Sequence, residues 1–184
     1  SIAPGVANFF AGNRFLNKPL KWAAKIAAER EIPRFADHTF KSWFENRAGA
    51  NAGRPPVVLW PDTFNNFFHP ATAEAAVEVL EDAGFRVVVP RQDMCCGRPF
   101  YDFGMLRQAR KYLEDILLKM GPEIEAGLPF VVLEPSCCSV FRDELCNLLP
   151  HHQNAQRLRN QTFTLAEFLT RQVPGYRAPV LRQA

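Results

Sequence analysis

The sequence has no long hydrophobic run, no block of like charge, no low-complexity tract and few cysteines. No apolar stretch approaches the roughly 20 residues that cross a bilayer, and the N-terminus lacks the apolar region of a signal peptide, so a soluble domain is expected. A formal net charge of +3 over 184 residues, with basic residues scattered along the chain, argues against nucleic-acid binding. The five cysteines stand at positions 95, 96, 137, 138 and 146. That count is odd, and sequence neighbours close only a strained small ring, so the spacing is poor for a disulfide framework and a reducing cytoplasm is the expected compartment. No Cys-x-x-Cys pair occurs, so the simple zinc-ribbon signature is absent.

What is present is ordinary globular material. Apolar residues make up 47% of the chain and charged ones 22%, enough to bury a core in one domain, alone or with an extension. Residues 1–50 are rich in aromatic and basic side chains, among them Phe9, Phe10, Phe15, Trp22, Phe35, Phe40, Trp43 and Phe44. They read as a helical arm: Lys18 to Arg30 suits a helix, Ile32-Pro33 breaks it, and Asp37 is placed to cap a second. Asn46 to Pro56 (NRAGANAGRPP) has the composition of a linker, so the main domain is expected over 55–184. The chain opens at Ser1 without an initiator Met and stops just after Ala178-Pro179-Val180-Leu181, which reads as the start of another strand. It is therefore expected to be a piece of a longer protein.

Past the linker the pattern becomes regular. Val57 to Trp60, Val87 to Val89 and Phe130 to Leu133 read as short apolar strands. Between them lie amphipathic helices over Pro70 to Gly84 and Met105 to Met120, and another helix follows near 139–149. Strands apolar on both faces that alternate with amphipathic helices imply an α/β fold: a three-layer sandwich around a small parallel, Rossmann-like βαβαβ sheet.

In open parallel sheets, ligands bind beyond the carboxyl ends of the strands. Here each strand end leads into a turn with chemically distinctive residues: Trp60-Pro61-Asp62, then Met94-Cys95-Cys96-Gly97, then Glu134-Pro135-Ser136-Cys137-Cys138. The fold would bring Asp62, Cys95, Cys96, Glu134 and Cys137 to one edge. Thiolates bind soft or borderline metals and a carboxylate can complete their shell, so this set points to a metal or cluster of unspecified identity, against the alternative of buried packing cysteines. Gly97 would let the backbone approach such a centre. Cys138 and Cys146 read as core residues; Arg98 and Arg142 read as solvated or salt-bridged side chains rather than holders of an anion, His69 as a surface or capping group, His151 and His152 as a polar helix–loop end rather than metal ligands, His38 as structural, and Asn65 and Asn66 as turn formers. Thiol catalysis by Cys95 or Cys96 with His69 as base is the least favoured chemistry.

Three segments, VVLWPDTFNNFFHP, GFRVVVPRQDMCCGRPFYDFGML and LEPSCCSVFRDEL, resemble the cysteine-rich CCG domain found in heterodisulfide reductase, in the iron–sulfur protein of glycolate oxidase and in lactate-utilisation proteins. With the arm, the chain looks most similar to the C-terminal region of fused FAD-linked oxidases such as D-2-hydroxyglutarate or D-lactate dehydrogenases. The resemblance implies Cys95, Cys96 and Cys137 as ligands of an iron–sulfur cluster, Gly97 beside it, and Asp62 and Glu134 standing where cluster-binding relatives carry cysteines. It also implies FAD on another domain, a second CCG repeat among the partner domains of a parent flavoprotein, and a cytoplasmic location with the parent peripheral at the membrane. On that footing the chain is the electron-transfer segment of a flavin-dependent 2-hydroxyacid dehydrogenase, not catalytic alone. The alternative is a metal-free or zinc-binding interaction module of the same larger protein, which the two carboxylates favour because iron–sulfur clusters prefer thiolate.

Overall fold

The computed structural model describes residues 4–177. Helices α1 (Pro4–Gly12), α2 (Arg14–Ala23) and α3 (Phe40–Asn46) precede strand β1 (Pro56–Trp60). Helices α4 (Thr63–Phe67) and α5 (Pro70–Asp82) lead to β2 (Arg86–Val88), and α6 (Arg98–Asp102), α7 (Leu106–Lys119) and α8 (Gly121–Glu125) lead to β3 (Phe130–Val132). Then come α9 (Pro135–Ser139), a π-helical turn (Val140–Glu144), α10 (Leu145–Leu148), α11 (Gln153–Gln161), β4 (Thr162–Thr164) and α12 (Leu165–Gln172).

The strands form one sheet in the order β2-β1-β3-β4, with every pairing parallel. Because side chains alternate across a strand, β1 feeds two cores. Val58 and Trp60 join Phe130 and Val132 against Leu113, Ile116 and Leu117 of α7 and Leu145 of α10. Val57 and Leu59 join Val131 against Phe40 of α3, Ala73, Val77 and Leu80 of α5, and Phe168 of α12. These are the helix–sheet–helix layers expected of an α/β sandwich.

Local chemistry fixes the ends of the elements. Pro70 occupies the first turn of α5, where its missing N–H costs nothing, and Gly84 at φ +89° reverses the chain toward β2. Thr164 and Glu167 form a reciprocal capping box at the start of α12.

Several elements differ from expectation. The arm helix stops at Ala23 rather than Arg30: Lys25 takes φ +52°, the Ile26 N–H turns back to the Lys21 carbonyl, and Lys21 Nζ bonds the Ala28 carbonyl at 3.0 Å. Helix α3 is capped by Thr39, whose side chain accepts from the Ser42 N–H, and not by Asp37. The expected helix near 139–149 begins earlier and is divided by the π-turn. Strand β4 has no counterpart in the sequence pattern, since Thr-Phe-Thr offers no apolar run; pairing with β3 makes it a strand. The strand expected from Ala178 lies outside the described residues.

Candidate functional site

Strand β1 connects to β2 on one side and β3 sits on its other side, so the β1/β3 boundary is where the crossovers diverge, the switch point beyond which open parallel sheets bind their ligands. The turns after β1, β2 and β3 all meet the carboxyl edge.

After β1, Asp62 is 2% exposed. Its Oδ1 accepts the N–H groups of Phe64 and Asn65, both at 3.0 Å, and its Oδ2 accepts Asn65 Nδ2 at 2.7 Å. After β3, Glu134 does the same for α9: its Oε1 accepts the Ser136 N–H at 3.3 Å and the Ser136 hydroxyl at 2.9 Å. Both carboxylates thus serve the starts of their own helices, where orphan N–H groups need acceptors.

The loop after β2 is held from outside. Lys41 of α3 donates through Nζ to the Arg91 carbonyl at 2.6 Å and pairs with Asp93 at 2.7 Å, while its backbone N–H donates to Asn66 Oδ1 at 3.1 Å. One residue of the arm therefore ties together the turns after β1 and β2. The sequence marks Lys41 only as one of many scattered cations, so its role is not legible there.

Beyond that anchor, Cys95 is partly buried, Cys96 is 4% exposed and Cys137 6%. The Sγ atoms of Cys96 and Cys137 lie 3.0 Å apart, bridging the turns after β2 and β3. Contact with Cys137, with burial adding to it, pushes the Cys96 thiol up to about 12. Cys95 is raised as well, first by its contact with Cys96 and then by burial, against the opposing Gly97 N–H and Thr63 hydroxyl. At neutral pH these two are thiols, not thiolates. Gly97 adopts φ +80°, and a Cβ there would lie 3.3 Å from Tyr112 Cβ, so glycine is required both by the backbone and by its neighbour.

The remaining site residues are structural. Arg98 pairs with Asp102 at 2.9 Å and with the buried carboxylate of Glu144 on the π-turn, which Ser139 Oγ also contacts. Arg142 donates to the Thr162 carbonyl at 2.7 Å and pairs with Glu167 at 2.6 Å. Cys138 and Cys146 pack in the core, Cys146 against the Ala155 carbonyl. His69 is exposed at the start of α5, and the partners of Cys95 are Cys96, Gly97 and Thr63. The indole N–H of Trp60, in the same buried cluster as Cys96 and Cys137, has no acceptor among the described residues.

A thiolate-held cluster takes four cysteine ligands, and this edge offers three thiols, with both carboxylates turned to their helices. Among the described residues no three His, Cys, Asp or Glu side chains are grouped closely enough to hold a metal ion. The residues present do not make a complete ligand set for an iron–sulfur cluster. Among the described residues no helix is long and apolar enough to cross a membrane.

The family model for the cysteine-rich CCG domain matches residues 62–142. One component of the anaerobic glycerol-3-phosphate dehydrogenase of Escherichia coli (strain K12) is 28% identical over 132 residues, covering 69% of this chain and 33% of that protein. Lactate utilization protein A 1 of Bacillus mycoides (strain KBAB4) is 27% identical over 107 residues, 55% of this chain and 42% of its own length. Lactate utilization protein A of Bacillus velezensis (strain DSM 23117 / BGSC 10A6 / LMG 26770 / FZB42) is 30% identical over 121 residues, with shares of 61% and 47%. The chain spans between a third and about half of the length of these relatives. No solved structure matches it. The matched region begins at the Asp62 cap and runs through the paired thiols and Cys137 to the Arg142 clamp, so over residues 62–142 this chain is similar to the cysteine-rich CCG domain.

Proposed function

We propose that the chain is the cysteine-rich redox segment of a larger flavin-dependent oxidoreductase acting on a 2-hydroxy acid, with FAD on another domain. The observation that carries the reading is the meeting of the Cys95-Cys96 pair, on the turn after β2, with Cys137, on the turn after β3, at the carboxyl edge of the sheet. The relatives support the redox class, since two of them are named for lactate utilization and another for an anaerobic glycerol-3-phosphate dehydrogenase. In this reading Cys95, Cys96 and Cys137 are this chain's contribution to an iron–sulfur site. A second CCG repeat of the parent protein supplies the missing thiolate, with Asp62 and Glu134 bordering the site. The Trp60 N–H in the same cluster is a donor that a sulfur-rich group would satisfy.

The test is iron and acid-labile sulfide after anaerobic purification, on this chain and on the full-length parent. The expected result is a brown parent and a chain with iron well below one cluster per polypeptide. A parent free of iron overturns the reading. A second reading, a zinc-binding or metal-free assembly module, is favoured by the use of both carboxylates as helix caps. Stoichiometric zinc, or free thiols and no metal in the parent, establishes that second reading instead.

A further inference from the structure

We propose that Cys96 and Cys137 are a dithiol that closes to a disulfide, a two-electron redox-modification site joining the turns after β2 and β3. The inference goes beyond the cluster reading and requires no metal. Its basis is the pair itself: two buried sulfurs, 41 positions apart in sequence, at 3.0 Å. Ordinary sulfur contacts are wider, and a disulfide needs its sulfurs at about 2.05 Å, so closure asks for about 1 Å of further approach. The segment 89–97 that carries Cys96 has no helix or strand and an exposed middle at Arg91, Gln92 and Asp93, so it can supply that movement. The other thiols are placed differently. Cys138 faces the charges of Arg142 and Glu167, Cys146 faces the Ala155 carbonyl, and Cys95 touches only its sequence neighbour among the cysteines. Cys96 and Cys137 are the pair in contact across the fold.

The oxidant is a small-molecule disulfide, RSSR. One protein thiol loses its proton and attacks a sulfur of RSSR, forming a mixed disulfide and releasing one RSH. The second thiol then displaces the remaining RS group as RSH. Two protein S–H bonds and one reagent S–S bond become one protein S–S bond and two RSH; the protein loses two electrons and two protons, and the reagent gains both. Closure links the ends of β2 and β3 around β1 and withdraws two of the three edge thiols from any metal. The thiol state therefore gates what this site can bind.

The test uses the intact chain, reduced under anaerobic conditions and then equilibrated with oxidised glutathione. Free thiols are trapped with N-ethylmaleimide in denaturant and the products read by mass spectrometry. The expected product carries no glutathione, has lost two hydrogens, and takes up maleimide on all but two of its five cysteines. Fragmentation of the linked peptides assigns the bond in the unmutated protein, so the result does not depend on variants that fold poorly. Cys96→Ser and Cys137→Ser abolish the bond, while Cys95→Ser, Cys138→Ser and Cys146→Ser retain it. Alkylation of every cysteine, a lasting glutathione adduct, or a bond assigned to Cys95 or Cys138 overturns the proposal. Iron content of the parent is measured separately, so either conclusion can fail alone.

Discussion

Asp62 and Gly97 show how single residues at this site answer to local geometry before they answer to chemistry. Asp62 sits, nearly without solvent contact, on two backbone N–H groups and one side-chain amide. Replacing an N-cap aspartate by alanine costs about 1–2 kcal/mol. Asp62→Ala should therefore lower the urea midpoint clearly, whereas Asp62→Asn, which keeps an accepting oxygen, should recover most of the loss. Gly97→Ala faces two penalties: a left-handed backbone at φ +80°, about 1–2 kcal/mol for an L-residue, and the Tyr112 Cβ at 3.3 Å. It should destabilise the protein by about 2 kcal/mol or more, read from the same denaturation curve, while Gly104→Ala, with open space around its Cβ, bears only the backbone cost. The sequence places CCG, Asp62 and Glu134 in the turns that follow the strands, and the structure has them there. The sequence does not show that both carboxylates spend their lone pairs on their own helices. That depends on backbone direction at the helix starts, which residue identity alone leaves open.

At the level of elements, β4 and α12 are fastened by Arg142, which reaches from the π-turn to the Thr162 carbonyl and to Glu167. The Arg142 guanidinium, with the Thr164 N–H and hydroxyl, lowers Glu167 from its usual 4.5 to about 2. A carboxylate depressed in the folded state stabilises the fold above its unfolded value and loses that contribution as pH falls through the folded one. Glu167→Gln should thus be less stable than the unmutated chain above pH 4.5, with the gap closing as pH drops toward 2. Paired denaturation midpoints across that range check it. Arg142→Ala removes the same clamp and should speed amide exchange at Thr162–Thr164 more than at β1. Neither β4 nor the clamp is legible in sequence. Thr-Phe-Thr lacks the continuous apolar run that marks Val57–Trp60 and Phe130–Val132, and the Arg142–Glu167 partnership spans 25 positions without a local pattern. The strands that are legible are those with a continuous apolar run, the central β1 and β3 and the edge strand β2 alike.

Across the whole molecule, the question is how much of the N-terminal region belongs to the folding unit. Aromatic density makes residues 1–50 look uniform, yet the structure treats them unequally. Val6, Phe9, Phe10 and Trp22 are exposed, Trp22 to 84%, so their apolar surface adds little to the stability of this chain. Phe40, by contrast, is fully buried among Val57, Leu59, Val77 and Phe168, with Trp43 and Phe44 packed against the same cluster. Arg47 pairs bidentately with Glu81 of α5 at 2.7 and 2.6 Å. Composition cannot separate these cases, because an aromatic side chain looks the same in sequence whether or not a core lies beneath it. Two truncations separate them in practice. Removal of residues 1–35 should leave cooperative unfolding and a midpoint close to that of the intact chain, since among the described residues the core clusters draw nothing from that stretch. Removal of residues 1–50 takes away Phe40 and the Arg47 pair. Loss of a buried phenylalanine side chain alone costs about 3–5 kcal/mol, a large part of the roughly 5–15 kcal/mol that holds a domain together. The longer truncation should therefore unfold at far lower urea or fail to fold. The full-length Phe40→Ala variant should show most of that loss, which ties it to packing rather than to chain length. Equal midpoints for the two truncations would place the boundary of the folding unit after residue 50.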